Sequence, residues 1–460
     1  MERKNAWTTY TDAQLSELET LCTGYRNFLD EGKTERECTV YAVKEAEAHG
    51  YKNLDELIKN GTKLKAGDKV YASLMGKTIA MFHIGSAPLS EGMNILGAHI
   101  DSPRIDVKQN PLYEDNEFVL LDTHYYGGVK KYQWVTLPLA IHGVVAKKDG
   151  SVVNVVIGED DMDPVVGISD ILIHLSAEQM QKTAAKAIEG ENLDVIIGNK
   201  PKKGEDKDAV KKAILDILKE KYNFEEEDFL SAELEVVPAG KARDFGLDRS
   251  MVIGYGQDDR VCSYTSLIAM LEVTDIPKRT ACCLLVDKEE IGSVGATSME
   301  SKFFENTVAE ILALCEDYCD LKLRRAIKNS KMLSSDVSAA FDPLFASVFE
   351  KKNTAFFGHG IVFNKFTGRG GKGGSNDANA EYVGEIRRIM DDNGVNFQTA
   401  ELGKVDAGGG GTIAYISANY GMQVIDSGVA VLCMHAPWEI TSKADIYEAK
   451  RCYKAFLLDA

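Results

Sequence analysis

Met93-Asn94-Ile95-Leu96-Gly97-Ala98-His99-Ile100-Asp101-Ser102-Pro103 is a short apolar run that delivers an imidazole and a carboxylate at its end, before Pro103 stops any regular continuation. So brief and continuous an apolar stretch predicts a core strand. His99 and Asp101 stand two apart, and on an extended chain such side chains leave the same face. Three other places repeat the layout: an apolar run before Glu289-Glu290, Met332-Leu333 before Asp336, and Val431-Leu432-Cys433-Met434 before His435. A fifth point, Asp258-Asp259, opens a helix instead. In open α/β sheets, ligands bind outside the carboxyl ends of the strands, where loops converge over a crevice. The five points are therefore expected to meet in one site.

Outward from this run the chain falls into three parts. Residues 12–29 and 35–49 carry helical periodicity and predict an opening helical cap. From 250 onward, helices (263–271, 305–319, 378–390, 442–457) alternate with strands (281–286, 429–434), which predicts an α/β sheet covered on both faces. Between them the character changes. Strand-like segments at 118–121, 134–146, 152–157 and 232–237 are separated by polar turns such as Lys148-Asp149-Gly150, and antiparallel pairing fits them best. The Lys- and Glu-rich stretch 200–221 predicts a solvated helix and loop. The economical organisation is one α/β domain made of 1–103 and 250–460, interrupted by an inserted β-rich domain at 104–249.

Composition narrows the function. A chain of 460 residues exceeds the size at which one core keeps growing. No apolar run approaches the roughly 18 residues of a membrane span, so no membrane partner is expected. A formal charge of -18 repels phosphate backbones, which argues against nucleic acid. The N-terminal Met1-Glu2-Arg3-Lys4-Asn5-Ala6-Trp7 leads into a polar stretch instead of the apolar core of a secretory signal, so a cytoplasmic location is expected. Nine scattered cysteines with no CxxC pair do not make a disulfide framework. Cys315 and Cys319, four apart on the predicted 305–319 helix, are expected to be packing residues, since no second Cys or His pair accompanies them.

The five points suit zinc, which accepts imidazole nitrogen and carboxylate oxygen; two zincs about 3.5 to 4 Å apart need a carboxylate bridging them. Asp101 can orient the His99 imidazole. Glu289-Glu290 offers a ligand and, beside it, a carboxylate able to take a proton from water at the metals. Taken singly, each point is weak: a lone His is usually a core or surface residue, and an acid pair is usually a solvated turn or helix cap. Their recurrence at strand ends decides, because burying so many carboxylates without cations is costly. Manganese or cobalt also suits such oxygen-rich sites. His49, His83, His124, His142 and His359 lack this context and are left structural.

GAHIDSPR (97–104), GYGQDDRVCSYTSL (254–267), VDKEEIGS (286–293), SSDVSAAFDP (334–343) and CMHAPWE (433–439) resemble, in order and spacing, the M18 metallopeptidase family of aspartyl aminopeptidase and aminopeptidase I. The resemblance spans nearly the whole chain. It implies a zinc-exopeptidase-like α/β/α proteolytic domain interrupted by a β-rich dimerisation domain, assembled as a tetrahedral homo-dodecamer of dimers. It also implies two zinc ions per subunit, held by His99, Asp258, Glu290, Asp336 and His435 with Asp258 bridging. Asp101 then supports His99, and Glu289 is the general base. Ungapped matching through Leu267 favours Asp258, with Asp259 its nearest competitor. His174, in Ile173-His174-Leu175, resembles a histidine that reaches across a subunit interface into a partner's site, although local sequence alone gives a core histidine.

The implied reaction is hydrolysis of the first peptide bond of a peptide, with its free α-amino group at one metal. The stretch KFTGRGGKGGS (365–375) offers Lys365, Arg369 or Lys372 to an acidic substrate side chain, or is a flexible surface loop. It is no Walker A loop, which needs Gly-Lys followed directly by Ser or Thr. The run Gly408 to Gly411 before Thr412 lets backbone approach a ligand closely or makes a tight turn. Acidic and neutral N-terminal residues both remain open. Two other readings are carried forward: a related two-metal carboxypeptidase or deacylase, and a non-catalytic oligomeric shell protein.

Overall fold

The continuous apolar strands predicted from the sequence form the centre of a mixed sheet. The computed structural model describes residues 4–460, so Met1, Glu2 and Arg3 of the N-terminal stretch discussed above lie outside the described residues. The chain divides into two compact units. The larger comprises residues up to Asp101, Ala242–Met434 and Glu439–Ala460; the smaller comprises Ser102–Lys241 and His435–Trp438.

In the larger unit, a nine-stranded sheet is seen among the described residues, running Lys52–Asn53, Lys69–Leu74, Thr78–His83, Thr280–Val286, Met93–His99, Lys331–Ser334, Gln423–Gly428, Ile361–Asn364 and Phe397–Thr399. The middle four strands, from Thr280–Val286 to Gln423–Gly428, are mutually parallel. Parallel strands need both faces covered, which explains why they are apolar at successive positions instead of alternating. Leu96, Ala98, Cys283 and Leu285 face one core together with the helices Asp12–Glu31, Gln257–Leu271 and Lys443–Asp459. Their neighbours Met93, Ile95, Cys282 and Leu284 face a second core lined by Phe303–Cys315 and Asp320–Lys328. The result is the α/β/α layering that the sequence predicts.

Local chemistry sets the helix starts. Thr11 and Thr34 each cap a helix through a reciprocal capping box, with Gln14 and Glu37 respectively. A second sheet of the larger unit contains Arg243–Phe245, Met251–Gly254, Glu439–Ser442, Ala430–Leu432 and Ser338–Ala339. The strand leading to His435 thus belongs to this sheet and not to the one that ends in His99, a separation that apolar patterning alone does not reveal. At Gly428 the chain runs close against the segment that carries Asp336: a Cβ there would stand 1.7 Å from the Asp336 carbonyl oxygen. Only glycine lets the chain past the loop that carries Asp336.

In the smaller unit, the described strands pair in the order Val152–Ile157, Leu139–Ala146, Ala232–Pro238, Arg104–Asp115, Phe118–Tyr126 and Val195–Gly198, every pair antiparallel. The strand expected over 134–146 begins only at Leu139, because a short 3-10 turn ends at the buried Trp134. The helix expected over 305–319 also needs correcting. It stops at Cys315, and Cys319 caps a separate helix, Asp320–Lys328. Among the described residues, all nine cysteines are free thiols, and no helix is long and apolar enough to cross a membrane.

Candidate metal centre

Three neighbouring parallel strands end at one edge of the nine-stranded sheet. His99, the last residue of its strand, lies beside Val286, the last residue of the next; Ser334 ends the third strand beside Gly97. The chain beyond these ends carries Glu289-Glu290 and Asp336, so sheet register alone gathers ionisable groups from three distant segments. Asp258 comes from the turn after Met251–Gly254. Its backbone (φ -80°, ψ 108°) is not helical, and the regular helix follows it.

His99 Nε2 lies 3.2 Å from Asp258 Oδ1 and 3.9 Å from Asp336 Oδ1. One ligand atom from each of the three falls within 4.8 Å of the others. Ligands about 2.0 Å from a tetrahedral zinc stand about 3.3 Å apart, so the spacing and the donor types both fit one cation. The ring is oriented for this. His99 Nδ1 faces the Asp101 carbonyl oxygen at 3.0 Å and its Oδ1 at 3.4 Å, so Nδ1–H donates there and Nε2 is the ring nitrogen turned toward Asp258 and Asp336.

Asp101 does a second job. Its fully buried carboxylate accepts the main-chain N–H groups of Glu289 at 3.1 Å and Glu290 at 3.2 Å. One side chain therefore fixes both the imidazole and the turn that presents the two glutamates. That turn is also anchored at its base, where Asp287 accepts from Thr297 Oγ1 at 2.6 Å and Lys288 Nζ at 2.7 Å. Lys288 adopts a left-handed backbone (φ 67°), as do Cys433 (φ 62°) and His435 (φ 64°). Such conformations cost about 1–3 kcal/mol each and persist where surrounding structure imposes them, commonly at functional sites.

Electrostatics point the same way. Burial, then the Glu289 and Asp259 charges, push the Asp336 carboxyl well above its ordinary range. Burial lowers the affinity of His99 for a proton, but the Asp101 and Asp258 carboxylates more than offset it and hold the imidazole well above its usual value. Acids crowded this closely cannot all ionise without positive charge among them, and a divalent cation would supply it. Asp259 holds the main chain of His99. It is fully buried, its Oδ2 accepts from the His99 main-chain N–H at 3.4 Å, and burial raises its carboxyl.

His435 opens the four-residue segment His435–Trp438 of the smaller unit, one residue past Met434. Its Nδ1 shares a hydrogen with the Gly128 carbonyl oxygen at 3.0 Å. His174 sits on an exposed 3-10 turn, flanked by the exposed Ile173 and Leu175, and so is not the core residue that its local sequence gives. Lys372 lies 3.8 Å above the Phe366 ring, with its Nζ 3.1 Å from Asp377 Oδ2; Lys365 reaches the same carboxylate at 2.5 Å. Asp377, just past the 365–375 stretch, thus pairs with two of its cations. Sequence reasoning passes over Gln257 and Glu439, which lie inside quoted motifs and brace Asp258. The signal was there in Glu439, an acid closing CMHAPWE four residues after His435.

An α/β sheet whose parallel strand ends bring an imidazole and carboxylates to ligating distance is suited to hold a metal ion. The family model described as "Aminopeptidase I zinc metalloprotease (M18)" matches residues 28–457. A probable M18 family aminopeptidase 1 of Clostridium acetobutylicum is 64% identical over 457 residues, 99% of this chain and 98% of that protein. The crystal structure of aminopeptidase I from the same organism superposes with a TM-score of 0.92 at 61% identity, covering 99% of each chain. The M18 aminopeptidase structure from Thermotoga maritima gives a TM-score of 0.94 at 41% identity, covering all of both chains. The chain belongs to the aminopeptidase I zinc metalloprotease (M18) family and is a metallo-aminopeptidase.

Proposed function

We propose that the protein removes single N-terminal residues, acidic or neutral, from peptides at a centre of two zinc ions. His99 and Asp336 hold one ion, Glu290 and His435 the other, and Asp258 bridges them. The observation that carries this reading is the convergence of His99, Asp258 and Asp336 beyond adjoining parallel strands. His435 is included because its motif CMHAPWE (433–439) matches the family in order and spacing. Two bound dications supply Lewis acidity, polarising the scissile carbonyl and acidifying a water.

The chain's own groups do the rest. The Glu289 carboxylate takes the proton from the attacking water and hands it to the leaving amine. Asp101 keeps that carboxylate in place through the Glu289 N–H and keeps the His99 ring aligned. Manganese or cobalt is compatible with the same donors.

The same reading includes a homo-dodecamer built from dimers, acting in the cytoplasm, in which His174 of one subunit and Lys372 contact substrate. The exposed Ile171, Leu172, Ile173 and Leu175 around His174 support an interface there, since a monomer seldom leaves so much contiguous apolar surface in water. The test is product analysis on tetrapeptides that begin with Asp, Glu or Leu. The expected result is that the first residue appears before any other product, and the ranking of the three peptides gives the preference. Release of the C-terminal residue first would transfer the protein to the carboxypeptidase reading.

A further inference from the structure

Asp258 is held by a brace made entirely within the larger unit. Glu439 is buried, with 1% of its surface exposed, and its Oε2 accepts the main-chain N–H of Asp258 at 3.0 Å. Glu439 pairs with Gly254 across the antiparallel strands Met251–Gly254 and Glu439–Ser442, so it stands at the point where the chain leaves the sheet for Asp258. Gln257 locks the intervening turn. Its amide oxygen accepts from Tyr25 Oη at 3.0 Å and Thr441 Oγ1 at 2.6 Å, while its Nε2 donates to the carbonyl oxygens of Val252 at 3.2 Å and Glu439 at 2.6 Å. All four hydrogen-bonding positions of this fully buried amide are used.

We infer that Glu439 is the positioning residue of the bridging ligand, aiming the Asp258 carboxylate by anchoring its main chain. A neutral acceptor would satisfy an N–H equally well. Groups that orient metal ligands are typically worth 10- to 100-fold in metal affinity or activity. The inference rests on the reading that Asp258 bridges the ions.

The test compares zinc affinity, by competition with a chromophoric chelator, across the full-length wild type, Glu439→Ala, Glu439→Gln and Asp258→Asn, with melting temperatures of the metal-free proteins. Glu439→Ala should bind zinc about 10- to 100-fold more weakly. Glu439→Gln, whose amide oxygen still accepts the Asp258 N–H, should recover most of the loss. Should the alanine variant fail to fold, Glu439→Met fills the space without an acceptor and should behave as predicted for alanine. A variant lacking the acceptor that binds zinc as tightly as wild type, whatever its melting temperature, overturns the positioning role while Asp258→Asn still loses metal. If Asp258→Asn also keeps full affinity, the bridging assignment itself fails and takes this inference with it.

Discussion

Glu289→Gln is expected to lower kcat by about 10²- to 10⁴-fold while metal content stays at the wild-type level. Glutamine keeps the size and planarity of the side chain but cannot accept a proton at neutral pH. The backbone stays where it is, because what fixes residue 289 is its main-chain N–H on Asp101, and substitution of the side chain leaves that bond intact. Glu290, the neighbouring acid, is held through its main-chain N–H by the other oxygen of the same carboxylate and is, in the proposed centre, the one of the two that ligates a metal. The effect should therefore fall on turnover and leave ligation nearly untouched. Inductively coupled plasma mass spectrometry alongside steady-state kinetics reads both at once. Turnover within a few-fold of wild type would remove Glu289 from the role of base.

Removing the metals should have the second large effect. Exhaustive chelation is expected to abolish hydrolysis and to lower the melting temperature, with zinc restoring both. The loss of stability follows from linkage: a cation that binds only the folded chain, at about 1,000 times its Kd, stabilises it by about 4 kcal/mol. It also follows from the acids themselves, since without cations Asp336 is forced toward its protonated form by burial and by the Glu289 and Asp259 charges. Hydrolysis that survives chelation to substoichiometric metal would rule out the metallo-aminopeptidase reaction as drawn here.

The parts of this arrangement that were legible in sequence are those that repeat a physical pattern. Continuous apolar runs ending in His99, Glu289 or Asp336 announce buried parallel strands with chemistry at their ends, and register then brings those ends together. The antiparallel insertion was legible because its strands are separated by polar turns. Long-range partition was not legible. The run before His435 looks like the other three, yet its strand pairs in a different sheet, a choice made by tertiary contacts. Nor did the 305–319 periodicity show that the helix breaks after Cys315.

Within the site, residue types announced the candidate ligands, but supporting contacts emerged only in three dimensions. Asp101 was expected to serve His99, and its two hydrogen bonds to the Glu289 and Glu290 main chain could not be read from spacing across 188 residues. The cationic loop is a second example. Asp377 pairs with both Lys365 and Lys372, a contact that their spacing does not announce.

An anomalous-scattering map of zinc-loaded crystals, collected on both sides of the zinc edge, addresses the dinuclear centre most directly. Two peaks about 3.5 to 4 Å apart are expected, sharing Asp258, with His99 and Asp336 on one and Glu290 and His435 on the other. A lone peak, or a pair joined through Asp259 instead of Asp258, would contradict it.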